Sequence, residues 1–167
     1  MASLPDVFCV LNDMKSDGVI EDYAIGGAMA VLFYAEPTRT YDLDVFILLP
    51  RSEETIVVLT PLYAWLEARG FEPRAEHVIV HGVPVQLIPA YNDLVEAAVT
   101  EARVLDYEDV SVQVTPPEHL IAIALQTGGG KRRERAFQLL ETADIDRDIL
   151  DDLLSRFGIQ APWTSDE

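Results

Sequence analysis

Two aspartates one residue apart, Asp42 and Asp44, stand at the head of an apolar run, Val45 to Leu49. On an extended strand, residues two apart project to the same face. Leu43 and Val45 would then point the other way, into the core. Two carboxylates held side by side near apolar neighbours repel each other and lose hydration. A divalent cation offsets both costs. Mg²⁺ takes one or two carboxylates and completes its shell with waters and substrate phosphates. A pair of such ions can stabilise the attacking and leaving oxygens of a phosphoryl-type displacement. Upstream lies Gly26-Gly27. A glycine turn lets the backbone approach a phosphate closely, and a helix that follows offers free N–H groups.

Neither motif is specific alone. The chain has 29 acidic residues and carries two further Asp-x-Asp pairs, Asp144/Asp146 and Asp146/Asp148. Those fall at an expected helix start, where acids cap the end and complement its dipole. Gly-Gly by itself is compatible with a plain tight turn. The informative feature is the order: strand, Gly-Gly, helix, then a strand bearing Asp-x-Asp. A third feature is the clustering of positive charge. Lys131, Arg132, Arg133 and Arg135 are four of the 12 basic residues. This cluster is either paired on a helix surface with acids such as Glu134 and Glu141 or part of an anion site.

The elements that must position these residues follow from periodicity and breakers. Leu4, Val7, Phe8, Leu11 and Met14 repeat at helical spacing, ended by Ser16-Asp17-Gly18. Cys9 falls within this helix and is expected as a buried thiol. Tyr23–Ile25 reads as a strand, 28–35 as a buried helix stopped by Glu36-Pro37, and 41–49 as the clearest strand. A helix is expected from Ser52 to about Arg69, bent at Pro61. Residues 77–81 and 83–88 read as a strand pair around Gly82. Asn92 caps a helix to about Ala102. Val110–Val114 is a strand, and helices follow over 117–125, 131–142 and 146–157. The chain is therefore expected to be α/β (α+β), a small mixed sheet flanked by helices. The organisation expected is a core over 1–115, a helical C-terminal part over 116–160 packed on it as one compact domain, and a loose tail over 161–167.

The run Ala24-Ile-Gly-Gly-Ala-Met-Ala-Val-Leu32, followed by Arg39-Thr-Tyr-Asp-Leu-Asp-Val45, resembles the DNA polymerase β-type nucleotidyltransferase superfamily. It is most similar to minimal bacterial members of the abortive-infection type, some of which are toxins of toxin–antitoxin pairs. Val83–Pro89 and Thr127-Gly-Gly-Gly-Lys131 also look like blocks of that group. The resemblance implies the nucleotidyltransferase fold and transfer of a nucleoside monophosphate from an NTP to a hydroxyl acceptor, with release of pyrophosphate. The acceptor would be RNA such as tRNA, a protein, or a small molecule such as an aminoglycoside. By position, Gly26 and Gly27 would hold the triphosphate, Asp42 and Asp44 would bind Mg²⁺ (or Mn²⁺), and Arg39 and Thr40 would lie near the phosphates. Lys131 would reach the triphosphate from the helical part. Lys131 is not a P-loop lysine, because Leu125 stands where the first glycine belongs and Arg132 where Ser or Thr belongs.

The resemblance has one chemical gap. Superfamily members often carry a third carboxylate on a neighbouring strand, where it helps deprotonate the acceptor. The matching position is Gln86, which neither takes a proton nor binds Mg²⁺ as a carboxylate does. Either the acceptor is activated another way, or another acid such as Asp93 or Glu76 serves, or the chemistry is weak or absent and the chain is a catalytically silent nucleotide-binding or protein-interaction module of the same fold.

The bulk properties set outer bounds. Of the 167 residues, 49% are hydrophobic, enough for a folded core. The net charge of −17 argues against a broad nucleic-acid surface. No signal-peptide pattern opens the sequence, and the apolar stretch from Tyr23 to Leu49 is interrupted by charges, so neither a membrane span nor an oxidising compartment is expected. The expected setting is cytoplasmic, and a cognate antitoxin would be a partner if the toxin resemblance holds. His77 and His81, four apart on an expected strand pair, do not have the helical spacing of a zinc pair. His119 is expected at a helix start, capping it or on the surface, and Tyr91 at a core or pocket rim.

Overall fold

The computed structural model describes residues 3–34, 42–50 and 59–163. In chain order it contains α1 (Leu4–Ser16), β1 (Asp22–Ile25), α2 (Gly27–Val31), β2 (Leu43–Leu48), α3 (Thr60–Ala68), β3 (Glu72–Arg74) and β4 (His77–Val80). These are followed by β5 (Val83–Pro89), α4 (Asp93–Thr100), β6 (Arg103–Tyr107), β7 (Val110–Val114), α5 (Pro117–Thr127), α6 (Gly130–Thr142) and α7 (Arg147–Arg156). Among the described residues the strands form one mixed sheet in the order β3-β4-β5-β2-β1-β7-β6. The α/β architecture is the expected one.

The centre of the sheet carries the site. β1 and β2 are antiparallel, with Ile25 opposite Val45. β2 and β5 are parallel, with Asp44 opposite Gln86. β1 and β7 are parallel, and Ile25 is level with Val114. Alternation then divides the faces. Tyr23, Ile25, Leu43, Val45 and Ile47 join α1's Val7, Phe8, Leu11 and Met14 in the main core. Ala24 and Phe46 point the other way and pack with Val95 and Val99 of α4. Asp44 shares its parity with Phe46, so it lies on the α4 side. The C-terminal helices α6 and α7 both pack on α5, and α5 also packs against α2 and α4.

Several local expectations change. Cys9 is exposed rather than buried, because α1 turns Val7, Phe8, Val10 and Leu11 inward and leaves Cys9 on the outer face. Helix α2 spans only Gly27–Val31. Pro61 lies in the first turn of α3 as described from Thr60, where its missing N–H costs nothing, and the expected helix start at Ser52 lies outside the described residues. Two edge strands, β3 and β6, join the sheet without having been expected. The tail is not loose at its start. Ala161 and Trp163 pack on the core, and the Trp163 ring meets Phe137 edge-on at 6.1 Å, since burying an indole outweighs ordering a short segment. No described helix is long and apolar enough to cross a membrane.

Candidate functional site

Gly26 and Gly27 form the hinge between β1 and α2, and both are there for close approach. Gly26 donates its N–H to the Asp44 carbonyl at 2.9 Å. A Cβ on Gly26 would lie 2.4 Å from the Phe46 ring, and one on Gly27 would lie 2.5 Å from Asp44 Oδ2. Gly27 also has φ of +58°, a conformation that costs any L side chain. The pair therefore brings backbone directly against the Asp44 carboxylate. The sequence order of glycines and aspartates becomes a spatial juxtaposition.

Asp42 is exposed just before β2, Leu43 is fully buried, and Asp44 is half-buried. The Asp44 carboxyl is held above its ordinary value of 3.8, by burial first and by the charge of Asp42 second. Arg135, His77 and Arg132 act in the opposite direction. This is the expected signature of two carboxylates on one face, compensated by nearby cations. The sign of its linkage to stability is fixed. The native state binds this proton more tightly than the unfolded chain, so Asp44 favours folding at low pH and loses that contribution as pH rises through its raised native value. In metal-free buffer, the stability of the wild type relative to Asp44→Asn is expected to fall as pH is raised from about 3.8 through that range. Urea titrations of both proteins across this range check it, and a pH-independent difference contradicts it.

Cations approach from the helical part. A cavity of about 160 Å³ is lined by Gly27, Asp44, Phe46, Tyr91, Arg132 and Arg135, with apolar walls from Ile88 and α5. Arg132 and Arg135 are three apart on α6 and so share a face. Burial and the like charge of Arg132 draw the Arg135 guanidinium down from its ordinary range, while Asp44 holds it up. Lys131 is exposed and is not part of this lining. The two arginines were present in the sequence only as members of a basic cluster. Their i, i+3 spacing was the available signal. Tyr91, 57% exposed, forms part of the wall.

The remaining candidates are distributed unevenly. Gln86 is adjacent to Asp44 in the parallel register, on the same face. His77 brings its Nε2 to 3.5 Å from Asp42 Oδ2, with Glu76 3.7 Å from its Nδ1. The pairing of β4 with β5, and β5 with β2, produces this contact, and no local pattern foretold it. His81 is separate: it occupies the β4–β5 turn and packs edge-on against Phe71 at 5.2 Å. His119 is not at the surface but 3% exposed, because the start of α5 is packed beneath α7. Arg39 and Thr40 lie outside the described residues.

A divalent ion has a partial set of ligands here. Among the described residues no three His, Cys, Asp or Glu side chains converge to hold a metal. Two neighbouring carboxylates fit Mg²⁺ only where waters and a phosphate complete the shell. The Asp42–Asp44 repulsion and the raised Asp44 carboxyl are the costs such an ion would relieve.

No family model matches the chain, and no curated protein matches it in sequence. Solved structures do match in fold. An antigenic nucleotidyltransferase-like protein from Paracoccidioides brasiliensis is 17% identical, covers 93% of this chain and 88% of its own, and superposes with a TM-score of 0.55. The structure of ANT(2'')-Ia with adenylyl-2''-tobramycin gives 13% identity, 91% and 95% coverage, and a TM-score of 0.53. The solution structure of the antibiotic-resistance factor ANT(2'')-Ia gives 14%, 95% and 93%, and 0.52. The chain thus has the fold of these nucleotidyltransferase structures.

Proposed function

We infer that the chain is a Mg²⁺-dependent nucleotidyltransferase, moving a nucleoside monophosphate from an NTP to a hydroxyl acceptor. The observation that carries this reading is the mixed field of one cavity. Asp44, with Asp42 beside it, occupies one side, and Arg132 and Arg135 the other. A simple anion would meet the carboxylates, and a bare cation would meet the guanidiniums. A triphosphate with its Mg²⁺ carries both signs and suits both walls. The nucleotidyltransferase fold supports the same reading.

In this mechanism Asp42 and Asp44 would hold Mg²⁺, which would supply charge neutralisation at the phosphates. Gly26 and Gly27 admit the triphosphate close to the backbone. Arg132 and Arg135 face the phosphate oxygens and stabilise charge that moves toward the pyrophosphate. Arg39, Thr40 and Lys131 are further phosphate contacts proposed from the sequence blocks. The acceptor hydroxyl gives its proton to a nearby acid such as Asp93 or Glu76, or to solvent, as its oxygen bonds to the α-phosphorus; the bond from that phosphorus to the bridging oxygen breaks, and pyrophosphate leaves. Tyr91 offers an exposed ring at the cavity rim for the base or the acceptor. The charge of −17 favours a small or compact acceptor over long nucleic acid. A toxin role with an antitoxin partner rests on the sequence blocks alone. Incubation with α-labelled NTPs, Mg²⁺ and cell extract is expected to transfer label and release pyrophosphate. Absence of both with all four NTPs contradicts the enzymatic reading.

Arg132→Gln with Arg135→Gln is expected to weaken Mg²⁺·NTP binding by about tenfold or more and to flatten its salt dependence, since two charge-assisted contacts are lost. Fluorescence titration of a labelled nucleotide at several salt concentrations measures both quantities. Unchanged affinity would remove the arginines from the phosphate site.

A second reading, a silent nucleotide-binding relative, is favoured by Gln86. No carboxylate stands beside Asp44 on β5. The two readings separate on Gln86→Asp. In an active enzyme using another acid, the added charge changes metal affinity and leaves transfer present in the parent. In a silent relative, the parent binds Mg²⁺·NTP without turnover and Gln86→Asp supplies the first measurable transfer.

A further inference from the structure

The sheet extends the site sideways from the carboxylates. β4 is antiparallel to β5 with Val78 opposite Val85, so the next pair along is His77 and Gln86. Gln86 is level with Asp44 across the parallel β5–β2 ladder. Asp44, Gln86 and His77 thus form one lateral row across three adjacent strands. Residues level across a ladder project to the same face. Their chain neighbours Val45, Val85 and Val78 all project into the main core. The row therefore lies on the opposite face, with the Asp44 carboxylate.

His77 is two strand widths from Asp44, about 10 Å by backbone. Its ring nonetheless reaches the carboxylate pair, with Nε2 3.5 Å from Asp42 Oδ2. The other ring nitrogen, Nδ1, lies 3.7 Å from Glu76 Oε1. The imidazole is held between two carboxylates, and it is the best-anchored of the three groups. Its side chain is 20% exposed, against 54% for Asp42 and 64% for Glu76. Its strand is flanked on both sides, by β3 and β5.

Asp42 is in need of such a support. It stands one residue before β2, and the like charge of Asp44 opposes its approach. A carboxylate that ligates a cation is oriented by the groups around it, and loss of one such group costs about ten- to hundredfold in metal affinity. An exposed ion pair contributes little to folding. The two roles predict different losses.

We propose that His77 is a positioning residue of this site: its Nε2 orients the Asp42 carboxylate toward a divalent cation shared with Asp44. The inference rests on the reading of Asp42 and Asp44 as metal ligands. It gives a role to β4, which lies outside every sequence block that carries the resemblance. At 3.5 Å the contact is at the outer limit of a hydrogen bond, and a shift of about 0.3 Å brings it into the ordinary range.

Mn²⁺ titration of the full chain, followed by the EPR signal of the free ion, tests this without nucleotide or turnover. The quantity read is the part of the binding that Asp44→Asn removes, which sets aside ions held by net charge. His77→Leu is expected to weaken that part about tenfold or more. His77→Gln, whose amide nitrogen can stand where Nε2 does, is expected to keep most of it. His77→Asn is polar but too short to reach Asp42. It is expected to match His77→Leu, and it carries the test if the leucine variant does not fold. His81→Gln, which removes an imidazole from the same hairpin, is expected to leave the binding unchanged. Metal-free Tm values of His77→Gln and His77→Asn are expected to agree. Unchanged binding in both His77→Leu and His77→Asn would overturn this role and leave the metal reading of Asp42 and Asp44 standing. Equal weakening in His77→Gln and His77→Asn would also overturn it, as would a loss of affinity that parallels a loss of metal-free stability. Absence of Asp44-dependent Mn²⁺ binding in the wild type would overturn both this role and the metal reading.

Discussion

Asp44→Asn is expected to lower nucleotidyl transfer by roughly 10³-fold, the loss that follows removal of one preorganised electrostatic contact to developing charge. The fold should survive, because asparagine keeps the shape and relieves the repulsion from Asp42. Metal-free stability should therefore hold or rise slightly. This pairing of outcomes is what distinguishes a site residue from a structural one. Asp44 is half-buried, its carboxyl is pushed up by burial and by Asp42, and it faces two arginines across a cavity. Each of these conditions costs the apo protein something and favours a ligand that carries a cation and an anion together. Steady-state transfer assays and thermal unfolding with and without Mg²⁺ measure the two arms. An Asp44→Asn protein with unchanged transfer, or one that is markedly less stable, contradicts the assignment.

The second large effect belongs to the glycines. Gly27→Ala places a methyl group 2.5 Å from Asp44 Oδ2 on a residue with φ of +58°. The backbone term alone costs about 1–2 kcal/mol. The steric term cannot be met without moving the carboxylate or α2. Gly26→Ala meets the Phe46 ring at 2.4 Å instead, so it disturbs packing between β2 and α4. Overpacking of this kind costs about 1–3 kcal/mol. The expected contrast is that Gly27→Ala loses Mg²⁺·NTP binding out of proportion to its stability loss, whereas Gly26→Ala loses mainly stability. Denaturation midpoints and nucleotide titrations of the two variants compare these losses. Equal losses of both properties in both variants would make the pair a plain structural turn.

Local chemistry was legible in the sequence where it depended on short spacing. Asp44 lies on β2 and Asp42 immediately before it, and glycine tolerance at a strand-to-helix hinge is a property of two residues. The expected turn and strand therefore meet as anticipated. Asp42-x-Asp44 also separates cleanly from its decoys: Asp146 caps α7, accepting from the N–H groups of Asp148 and Ile149. What the sequence concealed depends on sheet order and helix docking. His77 reaches Asp42 only because β4, β5 and β2 are neighbours. Arg132 and Arg135 enter the cavity because α6 packs on α5, which in turn lies against α2 and α4. Lys131, one residue earlier, faces solvent. A basic cluster read without its helical phase does not say which members point inward.

The edge strands were hidden for a different reason. β3 is three residues long and wholly exposed, and most of β6 is exposed or half-covered. Neither shows the alternation that reveals a half-buried strand. The burial of Glu118 and His119 was equally invisible. Glu118 and His119 sit in the first turn of α5, where acids and histidines ordinarily cap or face solvent. Only the docking of α7 over that turn buries them.

On the proposed reading, the cavity between Asp44 and the α6 arginines receives a nucleoside triphosphate with its metal. The most direct measurement is calorimetric titration of the wild-type chain with non-hydrolysable analogues of each NTP, in the presence of Mg²⁺ and in EDTA. The expected result is one nucleotide bound per chain with Mg²⁺, much weaker binding in EDTA, and loss of the Mg²⁺-dependent part in Asp44→Asn. No binding of any analogue with Mg²⁺, or binding that is indifferent both to Mg²⁺ and to Asp44, would contradict it.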